Sequence, residues 1–191
     1  MFHSEADFQH ALAWCIHERI PDGGCRLEFK PFPSKPIYLD IWLPGIGTAF
    51  ELKYLSRKLN FFREGESFAL RNQGAQDIRR YDFLKDIQRL EQLRTLPNVL
   101  AGFAILLTND PTYWNPPLSP NTVDAAFRLH EGRTITGEMT WSERAAAGTT
   151  KGREEPIRLN GSYVLHWHDY ADLGEGSYQR LRYLAVQTTG K

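Results

Sequence analysis

Apolar and polar positions along the chain change period several times, and each change predicts an element. Over residues 4–20, Phe8, Leu12, Cys15, Ile16 and Arg19 recur at spacings of three and four and share one face. The pattern predicts a helix with Ser4 as N-cap and Asp7 in a capping-box position. Pro21-Asp22-Gly23-Gly24 stops it, because proline cannot continue a helix and the glycines accept turn geometry. The period then shortens to two. Residues 25–32, 37–43 and 48–55 predict strands, the last two rich in β-branched and aromatic side chains. Pro44-Gly45-Ile46-Gly47 joins those two as a tight turn, which predicts an antiparallel hairpin. Residues 64–66 read as a loop. Helical spacing returns within 68–96 at Ile78, Tyr81, Leu84, Ile87, Leu90 and Leu93, and Pro97-Asn98 ends it. Residues 99–108 form a near-continuous apolar run, the signature of a strand buried on both faces.

The first 110 residues therefore read α-β-β-β-α-β. A strand that follows a long helix predicts a parallel crossover onto the hairpin, hence an α/β fold with a mixed sheet flanked by helices. Four prolines (Pro111, Pro116, Pro117 and Pro120) make 110–121 a loop, and residues 145–155 are small and polar. Strands are expected at 133–141, 156–169 and 178–187. With no internal repeat and no composition break, the expectation is a single domain over 1–191. It has a core at 1–110 and a β-rich C-terminal elaboration at 111–191, laid on as a second layer or flap.

Composition narrows the classes. The chain has 191 residues, 41% hydrophobic and 24% charged, an ordinary globular balance. Lys plus Arg and Asp plus Glu both number 23, so bulk charge does not hold a polyanion, and nucleic-acid contact would need a local patch. No run of about 20 apolar residues suggests a membrane span, and the start Met1-Phe2-His3-Ser4-Glu5 lacks the pattern of a signal peptide. Two cysteines, Cys15 and Cys25, make neither a disulfide framework nor a four-cysteine zinc site, and Cys15 on the apolar helix face reads as a core residue. A reducing cytoplasm is the expected compartment, with no membrane partner.

The chemistry concentrates in the hairpin. Side chains alternate across a strand, so Glu51 and Lys53 share one face while Phe50, Leu52 and Tyr54 take the other. Charge inside an apolar strand is costly unless it is paired or binds metal. Asp40, on the preceding strand, can approach the same spot. Two carboxylates and a lysine suit a divalent cation such as Mg²⁺, which prefers oxygen ligands. A structural ion pair, or a solvent-facing hairpin edge, is the alternative reading.

Asp40 followed eleven residues later by Glu51-Leu52-Lys53 resembles the PD-(D/E)xK motif of the restriction-endonuclease-like nuclease superfamily. The order of helix, acid-bearing hairpin, crossover helix and buried strand is similar over residues 4–108. Leu39 stands where the family has its proline. The resemblance implies a metal-dependent endonuclease, with Asp40, Glu51 and the Leu52 carbonyl binding Mg²⁺ or Mn²⁺. Lys53 would orient or help deprotonate the attacking water, or stabilise charge on the phosphate. Glu5, at the start of the first helix, matches a glutamate that joins the metal site in several members. It also reads as a first-turn acid favourable to the helix dipole. Gln76 on the long helix is the candidate for a residue that related nucleases place near the site. Nucleic acid is the implied partner, DNA ahead of RNA, and a homodimer is a further expectation because many members cut two strands as pairs.

From Glu51 to Arg94 the chain carries a mild basic bias suited to a phosphate backbone, although a solvated helix face with its own ion pairs accounts for most of it. Arg57, Lys58 and Arg63 read equally as phosphate contacts or a plain basic loop. His166, His168 and Asp169 are a weak transition-metal cluster, better read as strand histidines flanking Trp167. The C-terminal aromatics read as core ahead of a base-stacking surface. Two other classes stay open: a non-catalytic module that binds nucleic acid or protein on the same fold, and a function lodged in the C-terminal aromatic and histidine region.

Overall fold

The alternation of residues 48–55 is realised as an eight-residue strand, and the sheet is built outward from it. A computed structural model describes residues 1–34 and 36–189. Helix α1 (Glu5–Arg19) leads, followed by β1 (Arg26–Phe29), β2 (Leu39–Leu43) and β3 (Thr48–Leu55). A hairpin of β4 (Leu59–Arg63) and β5 (Glu66–Leu70) precedes helix α2 (Gln76–Leu93) and strand β6 (Ala101–Thr108). Then come β7 (Thr134–Met139), the single turn α3 (Ala147–Thr150), β8 (Ile157–Val164), β9 (Trp167–Asp172) and β10 (Arg180–Thr189).

Six strands form one mixed sheet in the order β1-β2-β3-β6-β10-β9. Only β3 and β6 run parallel, in register from Thr48↔Ala101 to Leu55↔Thr108, with α2 in the crossover between them. The predicted α/β class, the hairpin and the crossover are all present. Strands β10 and β9 extend the main sheet beyond β6, while β7 and β8 pair separately, with β8 packed on α2.

Each sheet face has its own apolar layer. On one face Ala49, Leu55, Ala104 and Leu106 meet Leu84, Ile87 and Leu90 of α2. On the other, Ile41, Leu52, Tyr54 and Leu107 meet Phe8 and Ala13 of α1. Leu84, Ile87 and Leu90 are wholly buried, and each contributes roughly 1.5–3 kcal/mol through that burial. Gly102 lets α2 come this close, since a Cβ there would lie 3.0 Å from Leu90 and 2.7 Å from the Thr188 hydroxyl.

Ser4 caps α1 as expected, its hydroxyl accepting from the Asp7 amide at 3.1 Å. The reciprocal bond runs one residue early, from the His3 amide to the Asp7 carboxylate. The expectation for 56–75 needs correction. Residues 68–70 are strand, not helix, and 64–66 are the turn and first residue of a hairpin. Glu64 and Gly65 both have positive φ (53° and 85°), the two-residue geometry that matches the twist of paired strands. The stretch expected as one strand at 156–169 is two, β8 and β9. Among the described residues no helix is long and apolar enough to cross a membrane.

Candidate functional site

The hairpin of β2 and β3 is zipped only at its turn end. Its pairs run Leu43↔Thr48, Trp42↔Ala49 and Ile41↔Phe50, and there the ladder stops. Along its other edge β2 stays paired with β1, from Arg26↔Trp42 to Phe29↔Leu39, so its Asp40 end is unpaired only on the β3 side. Strand β3 continues past the fork with edge groups that β2 no longer satisfies, and buried backbone donors need partners. Side chains supply them. Asp40 Oδ2 accepts from the Leu52 amide at 2.5 Å, and Glu5 Oε2 accepts from the Tyr54 amide at 2.8 Å. The Lys53 ammonium donates to the Leu52 carbonyl at 3.2 Å. The fork thus draws Asp40, Glu5 and Lys53 to one place because the backbone there requires them.

They line a cavity of about 430 Å³ together with Tyr38, Glu51, Gln73 and the α2 residues Arg79, Asp82, Lys85, Asp86 and Arg89. Glu51 is only 3% exposed and binds Arg89 at 2.7 Å. Lys53 binds Asp86 at 2.9 Å, and Arg89 reaches Asp86 at 3.4 Å. Four carboxylates (Glu5, Asp40, Glu51 and Asp86) therefore face two inner cations, Lys53 and Arg89.

Burial moves the acids, and the imbalance adds to it. Burial pushes Asp40 up to about 6, against the pull of the Leu52 amide and Lys53, with Asp86 and Glu5 adding repulsion. Burial and then Asp86 hold Glu51 well above the ordinary glutamate range, although Arg89 opposes them. Asp86 is raised by burial, against both cations. For Lys53 burial works in the other direction, but Asp86 and Glu5 outweigh it and keep the ammonium above its usual value. Lys53 is thus a fixed positive charge at neutral pH, suited to orienting or stabilising an anion and not to removing a proton.

The donor set fits a hard divalent ion in kind. Its groups are carboxylates and a carbonyl, and their raised pKa values reflect buried negative charge that an ion would offset. In the arrangement seen, Arg89 occupies Glu51, and among the described residues no three His, Cys, Asp or Glu side chains stand together as a ready metal cage. Binding an ion would require Glu51 to exchange Arg89 for it.

The other sequence-level candidates fall elsewhere. Gln76 opens α2 but turns its amide to Asp110 at 3.0 Å and does not line the cavity. The glutamine at the cavity is Gln73, whose side-chain oxygen accepts from the Ser56 amide. Arg57 points to Tyr178 and Asp110. His166 lies 3.3 Å from Glu131, His168 stacks on Tyr183, and Asp169 pairs with Arg180 and Arg182. Trp141 packs with Tyr81 and Phe127 in the core. Asp86 and Arg89 belong to the charged stretch that the spacing predicts as a solvated helix face, yet both line the cavity. The available signal was their place one turn apart beside the buried stripe Phe83, Leu84, Ile87 and Leu90, on a helix that must cover the strand bearing Glu51 and Lys53.

The chain matches no protein-family model, no curated protein and no solved structure.

Proposed function

We propose that the protein is a metal-dependent phosphodiesterase that hydrolyses nucleic acid, DNA ahead of RNA, on a restriction-endonuclease-like core. The observation that carries this reading is the fork between β2 and β3, where Asp40, Glu51 and Lys53 meet Glu5 in one polar cavity. Asp40, Glu51 and the Leu52 carbonyl would hold Mg²⁺ or Mn²⁺, with Glu5 beside them. The ion, when bound, supplies a Lewis acid that polarises the phosphate and lowers the pKa of a water. Lys53 supplies a positive charge against the phosphate oxygens, held in place by Asp86 and the Leu52 carbonyl. Arg89, once parted from Glu51, gives a second such charge. A water oxygen forms the new bond to phosphorus as the bond to the leaving sugar oxygen breaks.

A second reading has its own support. Two of the ion pairs, Glu51 with Arg89 and Lys53 with Asp86, close the site on itself, as expected of a binding module that keeps the fold without the chemistry.

Calorimetric titration of Mn²⁺ into the wild type and Asp40→Asn separates the two. The nuclease reading expects saturable binding that Asp40→Asn abolishes. It also expects metal-dependent cleavage of DNA that Lys53→Ala abolishes while the circular dichroism spectrum is kept. Nucleic acid bound but uncut, with no metal uptake in its presence and no effect of Lys53→Ala, would establish the binding module instead.

A further inference from the structure

The β4–β5 hairpin leaves the cavity wall directly and presents two unlike faces. Its base is clamped to the site: the Gln73 amide donates to the Ser56 carbonyl at 2.8 Å, and the Ser56 hydroxyl donates to the Arg71 carbonyl at 2.8 Å. Gln73 and Leu55, on either side of the hairpin, both line the cavity. Because side chains alternate, Leu59, Phe61, Phe68 and Leu70 pack inward, and Phe68 is stacked between Phe61 and His3. The outer face carries Lys58, Asn60, Phe62, Ser67, Ala69 and Arg71, all exposed. No acid lies on that face. The hairpin's two acids are taken up elsewhere, Glu64 by Arg63 at the turn and Glu66 by His3 on the inner side.

Phe62 is 70% exposed, with its ring open to solvent. Lys58 and Arg71 form no ion pair among the described residues. The same holds for Arg79 and Lys85, which continue the positive charge from the hairpin base into the cavity. Unpaired cations along a path, with an exposed ring set among them and no carboxylate on the same face, are the two components by which proteins hold single strands: charge for the phosphates and a platform for a base.

We propose that the outer face of the β4–β5 hairpin is a single-strand nucleic-acid platform. Lys58 and Arg71 meet the phosphates, Phe62 stacks on an unpaired base, and Arg79 and Lys85 lead the backbone into the cavity. The proposal rests on the nuclease reading for what happens in the cavity, but the binding it describes is separable from cleavage.

The experiment measures binding of a labelled single-stranded oligonucleotide, and of its duplex, across a salt series without divalent metal. On the single strand, Lys58→Ala and Arg71→Ala should each lower the slope of log affinity against log salt by about 0.7. Phe62→Ala should weaken binding about 10-fold or more with the slope unchanged. Lys151→Ala, an exposed cation on the α3 side, serves as the control. An equal loss of slope in Lys151→Ala, no loss in Lys58→Ala and Arg71→Ala, or tighter binding of the duplex that ignores Phe62 would each overturn the platform. Failure of the nuclease reading looks different: the slopes and the Phe62 effect persist, but added Mn²⁺ produces no cut.

Discussion

Asp40 sits at a position where the proposed function and stability conflict. Its ordinary pKa of 3.8 rises to about 6 in the folded state, so between these values the native protein binds more protons than the unfolded chain. Stability must then fall as pH rises through that window. The full effect of a shift this size is about 3 kcal/mol, an upper figure. Asp40→Asn keeps an oxygen for the Leu52 amide and removes the penalty. The variant should melt higher than wild type above pH 6, with the gap closing near pH 4, as thermal unfolding across pH would record. Under the proposed function the same titration should weaken metal uptake in acid, because an ion competes with the proton for the carboxylate. Arg89 is the converse case. Arg89→Ala leaves Glu51 and Asp86 short of a cation, and the expected loss is about 3 kcal/mol, greatest at alkaline pH where the orphaned acids cannot protonate. Under the proposed function Mn²⁺ should recover much of that loss in chemical denaturation, since a ligand of the native state alone stabilises it.

Among elements, β3 was readable in the sequence because its alternation has a single interpretation: Glu51 and Lys53 on one face, Leu52 and Tyr54 on the other. The β4–β5 hairpin was not. Its strands are five residues each, the run Leu59-Asn60-Phe61-Phe62 lacks strict alternation of polarity, and the polar stretch before α2 carries no proline stop that separates Phe68 from the helical pattern. The Glu64-Gly65 pair was the missed turn signal. The glutamine at the cavity, Gln73, lies in the link between β5 and α2, ahead of Gln76 at the start of the helix. Asp86 and Arg89 escaped for a different reason. An acid and a base one turn apart satisfy each other on paper, and their partners Glu51 and Lys53 lie on a strand more than thirty residues earlier in the sequence. Helix α2 also anchors β8 by a device that spacing alone could not reveal. Glu91 is buried and accepts from the Asn160 and Gly161 amides and the Tyr163 hydroxyl at 2.7–2.8 Å. Gly161 is required beside it, because a Cβ would overlap the Tyr163 ring. Glu91→Ala should cost about 3 kcal/mol, with the three donors left wanting, and β8 amides should lose hydrogen-exchange protection before those of β6.

At the scale of the whole molecule, the last described strand is an interior strand of the sheet, between β6 and β9. Strand β10 pairs with β6 along eight residues, from Arg182↔Thr108 to Thr189↔Ala101, and brings β9 with it. Leu181 and Leu184 are wholly buried, in opposite apolar layers. A chain cut after residue 110 would lose this strand and expose β6 as a hydrophobic edge. It should be aggregated or unfolded by size-exclusion chromatography and circular dichroism, although it contains every residue of the proposed site.

This strand order also has a consequence for biogenesis. As the polypeptide is synthesised, β6 leaves the ribosome long before β10 exists. During that interval an apolar strand waits without its neighbour, the condition in which edges recruit other chains. Under the proposed function, the nascent chain would be inactive by default until translation has passed β10. Ribosomes slowed between β6 and β10 should yield protein that depends on holding chaperones to stay dispersed.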